Sequence, residues 1–398
     1  MRRGYGSGTP RPAAARRRRQ LVDTAARCFH RHGFHGVAMA DVARQVGITA
    51  PALYRHFRSK KALLATVVES GLDLVDAALE RSGRPLADVL FNLAGAALER
   101  RDLWALLQRE ARHLDEPERL AVRARFNALV AGLTARIRAE RPEADEGQLS
   151  LLVTAVLGVL ASPSVSGLRV PAQDYQRILT AAGVAVAQAE LPDSRPTSVS
   201  AAAKQEPVPW PRSEQLLETA ITLFHDHGYA AVTLDRIAVE VGLTGPSIYY
   251  HFATKSDLLV SAFSRAAHQL AAKRVRRADD AELDALVHAY IDLGVRQRQL
   301  FGVYVTEAVN LPPEDGRRIR TELTANVADW ATALRRRRPE LSEPASLVLV
   351  HAARGIVNDV VRVGGLHTRT NIGAELETLA HAALNVELPR AVGHRDPA

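Results

Sequence analysis

The sequence predicts an all-α protein built from two tandem copies of one unit. Three observations carry that prediction. Gln20–Leu64 superposes on Gln215–Leu259 at a constant shift of 195 residues without a gap, with 20 of the 45 positions identical. A match of that length marks two folded units of one kind. Apolar residues recur at helical spacing ahead of the best-matched stretch: Leu21, Ala25, Cys28 and Phe29 in one copy, Leu216, Ala220, Leu223 and Phe224 in the other. Aromatic residues are only 5% of the chain, and no alternating Val/Ile/Thr pattern suggests strands. At 398 residues the length allows two to three domains. The repeat makes two units, each long enough to bury a core.

Each copy then reads in the same order. The first helix runs to about His30 and is broken at Gly33-Phe34, or Gly228-Tyr229 in the second copy. A short helix follows, starting near Met39 and holding Val42-Ala43, or Ile237-Ala238. A glycine turn comes next, Gly47 or Gly242. Thr49 or Thr244 then caps a third helix, Ala50–Phe57 in the first copy, with Pro51 or Pro246 in its first turn. Helix, short turn with glycine, helix is the helix-turn-helix signature of DNA-binding proteins. A fourth helix starts after Ser59 or Thr254, where Thr254 and Asp257 fit a capping box. Thr233 can cap the second copy's short helix, whereas the first copy has Ala38 there, at an expected cost of about 0.5–2 kcal/mol.

At these residues the sequence resembles the TetR family of bacterial transcription regulators. The resemblance rests on Phe29, Gly33-Phe34, Val42-Ala43, Gly47-Ile48-Thr49, Tyr54, His56-Phe57, Lys60 and Leu63-Leu64. It is repeated at Phe224, Gly228-Tyr229, Thr233, Ile237-Ala238, Gly242-Leu243-Thr244, Tyr249, His251-Phe252, Lys255 and Leu258-Leu259. It covers about 45 residues in each half. It implies that Tyr54, His56 and Lys60 hold DNA phosphates, as do Thr233, Tyr249, His251 and Lys255. It also implies that each motif is followed by a helical regulatory domain, and that the last two long helices of each unit pair in a four-helix bundle. With both units in one chain, the expected form is an intramolecular pseudo-dimer, with pairing of two chains left open.

Base reading is expected from the exposed face of each third helix: Thr49, Ala50, Pro51 and Arg55 in one copy, Thr244, Gly245, Pro246, Ser247 and Tyr250 in the other. Arginine makes a bidentate contact to guanine that tyrosine cannot. The expected operator is therefore a pseudo-palindrome with unlike halves. Charge points the same way. Gln20–Leu64 carries seven Lys/Arg against two Asp, and Gln215–Leu259 two against five acids. Residues 1–15 read as a disordered arm, and Arg16, Arg17, Arg18 and Arg19 lead into the first helix. These arginines either reach DNA phosphates or the minor groove or form a solvated basic tail.

The remaining expected boundaries are a first helix-turn-helix domain over 16–68, a helical regulatory domain over 69–190, and a Pro-rich linker over 191–212. A second helix-turn-helix domain over 213–263, a second regulatory domain over 264–388 and a disordered tail over 389–398 follow. In the regulatory domains the repeat resumes at a shift of 197, which places Leu103-Trp104 on Leu300-Phe301. Each holds an unusually apolar helix, about Gly147–Ala161 and Pro344–Val363, which must be buried on several sides. A further helix follows each, about Ala172–Ala189 and Ile372–Asn385.

The family's usual trigger is a small molecule. Candidate pocket walls are Phe91, Trp104, Leu107 and Phe126, then Tyr290, Phe301, Tyr304 and Trp330, each of which is also an ordinary core side chain. Few charges interrupt these faces, so the effector is expected to be largely apolar. The lone Cys28 excludes an internal disulfide, sits on an apolar face and suits a reducing cytoplasm. The apolar run Leu151–Ala161 is too short to span a bilayer, so no membrane is expected. His30, His32 and His35 invite a metal reading, but the second copy has Ala230 at the third position, and helix-end charge explains histidines there. No metal or cofactor is expected. Glu110 and Glu307 are repeated lone carboxylates without a catalytic set, so an enzyme is a remote alternative. The nearer alternative is a regulator in which only the first motif reads DNA and the acidic second unit is a degenerate scaffold.

Overall fold

The computed structural model describes residues 12–81, 85–192, 211–272 and 281–388, and every regular element among them is helical. The arm up to residue 11, nearly all of the linker and the tail after residue 388 lie outside the described residues. The first helix, α1, spans Pro12–His32 and so begins inside the stretch expected as an arm.

The first helix-turn-helix is α2, Met39–Val46, and α3, Ala50–His56, leading into α4, Lys60–Glu80. Gly47 makes the turn in the left-handed region at φ 73°, which favours glycine. There the N–H groups of Gly47 and Ile48 return to the carbonyls of Arg44 and Ala43, at 3.1 and 3.0 Å. Thr49 caps α3 by accepting from the Ala52 N–H. Ala38 offers α2 no side-chain cap.

The second copy repeats the plan with α11 (Arg212–His227), α12 (Leu234–Glu240), α13 (Gly245–Ile248) and α14 (Lys255–Ala272). Thr233 caps α12 through the Arg236 N–H, and Thr254 with Asp257 closes a capping box on α14. One expectation fails here. Thr244 makes no side-chain cap on α13; its hydroxyl meets the Ser247 hydroxyl at 2.7 Å instead. With Gly245, a poor helix former, where the first copy has Ala50, α13 is a single turn where α3 has two.

The later helices are α5 (Leu86–Glu99), α6 (Leu103–Arg109), α7 (Glu116–Glu140), α8 (Glu146–Ala161), α9 (Pro163–Ser166) and α10 (Ala172–Ala187). Their counterparts are α15 (Ala281–Arg296), α16 (Arg298–Glu307), α17 (Pro313–Arg337), α18 (Glu343–Val360) and α19 (Ile372–Leu384). Leu106 of α6, Leu114 just before α7 and Val122 of α7 are buried in one core with α1–α4. Leu300 and Val303 of α16 and Ile319 of α17 are buried likewise with α11–α14. Each DNA-binding domain thus includes side chains from segments that the sequence assigned to the regulatory domain.

The chain divides into two compact units, Met1–Ala77 with Asp102–Ala128, and Ala78–Arg101 with Leu129–Ala398. The division does not follow the linker, because α5, α8 and α10 group with the whole second copy. Within this second unit α8 lies along α18, α10 packs on α5, α8 and α19, and α18 packs on α19. Residues 146–166 are long and apolar enough to cross a membrane by length and composition, more than the run Leu151–Ala161 suggested, but most of that stretch is buried against protein.

Gly158 and Gly355 occupy equivalent positions at the 197-residue shift and meet where α8 and α18 cross. A Cβ on Gly158 would lie 2.6 Å from the Gly355 carbonyl oxygen, and one on Gly355 would strike the Gly158 carbonyl. Because the obstacle is backbone, side-chain repacking cannot relieve it. Gly158→Ala should therefore cost about 1–3 kcal/mol of stability through forced separation of the helices. Gly373→Ala, where a Cβ meets nothing within 4 Å, should be neutral or stabilising. Urea unfolding of the two variants beside the parent checks the contrast.

Candidate nucleic-acid interface and effector cavity

The base-reading candidates of the first motif lie on the surface. Thr49, Pro51, Tyr54, Arg55 and His56 are exposed and Ala50 is half-buried, while Leu53 anchors α3 to the core. Tyr54 is 52% exposed. In the second motif Thr244, Pro246, Tyr249, Tyr250 and His251 are exposed, and Gly245 and Ser247 are half-buried. Phe57 is buried as expected, whereas Phe252 is only half-buried against its core.

The two faces differ in charge at close range. The Asp235 carboxylate stands beside Gly245, so close that a Cβ there would lie 2.6 Å from its oxygen. The first motif has Ala40 at the position of Asp235. An exposed acid at the start of a recognition helix repels phosphate.

In this structure the Lys60 and Lys255 ammonium groups are held by backbone carbonyls. The Lys60 ammonium donates to the carbonyls of Phe34 and Val37 at 2.8 and 3.0 Å and lies 4.4 Å from the Phe34 ring centre. Lys255 does the same with Tyr229 and Val232, at 2.5 and 2.8 Å, over the Tyr229 ring at 4.2 Å. Burial lowers the pKa of both lysines. Carbonyls of the α1–α2 and α11–α12 connections thus give lysine in a first helical turn local partners. Arg17 is similar: its guanidinium reaches the Val46 carbonyl, and Arg212 repeats that bond to Val241. Arg18 stacks on the Phe57 ring at 4.7 Å. Arg16 and Arg19 are exposed on α1.

Sequence reasoning missed the job of Glu110, read only as a lone carboxylate. It is 1% exposed and accepts the Phe34 N–H at 3.0 Å. It pairs with Arg109, whose other nitrogen donates to the carbonyls of Phe29 and His30 at 2.7 and 2.8 Å. Arg109 of α6 thus adds donors to the carbonyls at the end of α1. Glu307, also 1% exposed, accepts from Asn310 at 2.8 Å and holds its negative charge near Lys255. The repetition of the glutamate at the 197 shift was the available signal.

Of the effector-pocket candidates, those of the second copy come together. Tyr290, Phe301 and Tyr304 line one cavity of about 230 Å3, together with Phe263, Leu300 and Val327. Trp330 is fully buried behind them, edge-on to Tyr290 at 5.8 Å. In the first copy Trp104 and Phe126 meet at 5.7 Å and Leu107 packs on the first unit's core. Phe91 belongs to the second unit and is 42% exposed, so it does not join them. The cavity also corrects the expectation of a largely apolar surround. His351, Arg354 and Asn358 line it from α18, and Arg320 from α17. Their spacing of three and four residues within an apolar run puts them on one helix face, a signal the sequence carried.

Both motifs match the family described as bacterial regulatory proteins, tetR family, over residues 21–67 and 216–262. The chain is similar to the HTH-type transcriptional regulator BetI of Agrobacterium fabrum, at 33% identity over 27% of this chain and 56% of the relative. It is similar to the A-factor receptor protein of Streptomyces griseus, at 32% identity over 18% of this chain and 25% of the relative. The match thus spans between a quarter and just over half of these relatives. A TetR-family regulator structure from Bordetella parapertussis aligns over 44% of this chain and 95% of its own at 16% identity, with a TM-score of 0.41. The two matched motifs are helix-turn-helix domains of the TetR class. This chain carries two tandem TetR-family units.

Burial makes one region acid-sensitive. His113 stacks on Phe34 at 4.9 Å and meets His35 edge-on at 4.7 Å. Desolvation, helped by the charge of Arg112 and other nearby cations, lowers its pKa from 6.5 to about 4. Desolvation with Arg354 lowers His351 equally, to about 4. The unfolded chain therefore binds protons between pH 6.5 and 4 that the folded chain refuses, so stability is full above about pH 6.5 and falls toward pH 4. Denaturation midpoints measured across this range should fall with pH, and His113→Phe should flatten the slope.

Proposed function

We propose that this protein is a transcriptional regulator that binds one operator through two unlike half-sites and releases it when a small molecule occupies the second copy's cavity. The observation that carries the reading is the contrast between α3 and α13. The first presents exposed Arg55 in a basic motif. The second presents exposed Tyr250 with Asp235 against its first residue. The first motif supplies most of the affinity, because phosphate attraction dominates non-specific binding. Repression follows from occupancy of the operator.

The reading includes an intramolecular pseudo-dimer. Its support is the meeting of Gly158 with Gly355, repeat-related residues on the two most apolar helices. The same acidic surface favours a second reading, in which the second motif is a partner scaffold that reads no bases. Selection of sites from a random duplex library separates the two. A two-part consensus with unlike halves supports the first, and a single half-site or a symmetric repeat supports the second.

On the selected site, Arg55→Ala should weaken binding by about 1–3 kcal/mol and relax base preference at one position. Tyr250→Ala should cost less. Fluorescence anisotropy titrations at fixed salt read both. Equal losses from the two substitutions would contradict the unequal roles assigned here.

A further inference from the structure

We propose that the second copy's cavity binds a small monocarboxylate with a compact apolar body, one per chain, and that Arg354 is its counter-ion. This rests on the effector-cavity reading above and names the chemistry of its ligand.

The argument begins with an unmatched charge. Arg354 is 8% exposed and lines the cavity. An arginine guanidinium stays protonated and offers five N–H donors. One hydrogen bond is made, to the Asn326 side-chain oxygen, and no carboxylate pairs with Arg354 among the described residues. The Tyr290 ring lies 4.0 Å from the guanidinium carbon and the Trp330 ring 5.8 Å. Such aromatic faces offset part of a desolvation penalty. Burying an ion without a partner stays costly even after relaxation. A carboxylate, which matches the planar guanidinium fork, would supply the missing partner.

The surroundings agree with one anionic group and no more. Among the described residues no acid lines the cavity, and its second cation, Arg320, is exposed. His351 is kept neutral by burial and by Arg354, so it serves as a hydrogen-bond partner. The Asn358 oxygen is taken by the Tyr290 hydroxyl at 2.7 Å. The rest of the wall is apolar or aromatic, including Phe263, Leu270, Leu293 and Phe301. A cavity of about 230 Å3 has room for a small organic acid.

The first copy cannot repeat this chemistry. At the 197-residue shift, Leu93, Thr154, Leu157 and Ala161 stand where Tyr290, His351, Arg354 and Asn358 do. The single site nonetheless touches both copies, since Val165 of α9 forms part of its wall.

The test is calorimetric titration of the whole protein with hexanoate, octanoate and phenylacetate, each beside the alcohol of matching skeleton. The expected result is saturable binding at one site per chain, with each acid at least tenfold tighter than its alcohol. Arg354→Gln should abolish that preference. Arg354→Lys, which keeps the charge and loses the fork, should bind the acids several-fold more weakly yet still prefer them, and it carries the test if the glutamine variant does not fold. Acids and alcohols binding alike, two equal sites per chain, an unchanged preference in both variants, or no binding by any acid would each overturn the proposal. The regulatory reading is read separately. If the acids bind through Arg354 but leave operator affinity unchanged, the carboxylate site stands and release by this ligand fails.

Discussion

The crossing of α8 and α18 is the constraint on which the second unit depends. Backbone meets backbone at Gly158 and Gly355, so neither residue can carry a side chain without moving a helix. Closeness there lets the flanking valines, leucines and alanines of both helices bury fully, and α10 and α19 then pack around the pair. An adjoining face of α18 carries His351, Arg354 and Asn358 to the cavity wall. Arg354 and Gly355 are neighbours in sequence. A change that re-aims the guanidinium therefore acts on the helix at the point where it has least room. Tightly packed contacts of this kind switch between discrete arrangements rather than deform smoothly, which suits a site meant to report occupancy.

A second constraint ties each DNA-binding domain to the helices that follow it. Lys60 and Glu110 grip the connection between α1 and α2 from two sides, one by its carbonyls and one by the Phe34 N–H. The buried Arg109–Glu110 pair is weak evidence of stability, because desolvation offsets much of its attraction. Its value is directional. It fixes α6 against the end of α1 through bonds with defined geometry. Thr306 occupies the position of Arg109 in the second copy, so that copy holds its loop through Lys255 without the arginine brace. Segment α6 is built into the first domain's core through Leu106, which is why the compact unit does not end where α4 leaves the motif.

Much of this was legible in the sequence because it depends on local chemistry. Glycine at a left-handed turn, threonine at a helix start and apolar residues every three or four positions placed the helix-turn-helix elements to within a residue or two. What the sequence did not show shares a cause. Lys60, Arg17 and Glu110 are charged residues whose partners are backbone groups about 30 to 80 positions away, and spacing along one helix carries no trace of such partners. Thr244 failed as a cap because a neighbouring hydroxyl competed, a choice between two local bonds that composition does not decide. Arg354 was readable in principle, as a polar stripe on an apolar helix, but its meaning came only with the cavity beside it.

The two copies have diverged in opposite directions, and the physics of each change fits a division of labour. In the DNA-binding domains the first copy is the more basic: Ala40 stands where the second has Asp235, and Arg55 where the second has Tyr250. In the helical domains the second copy holds the polar cavity residues, and the first has leucine, threonine and alanine at their positions. A symmetric dimer of identical chains cannot separate these demands, since any residue chosen for DNA or ligand appears twice. Fusion into one chain removes that restriction. Where α8 and α18 cross, at Gly158 and Gly355, the helical domains keep the same residue at the point of contact.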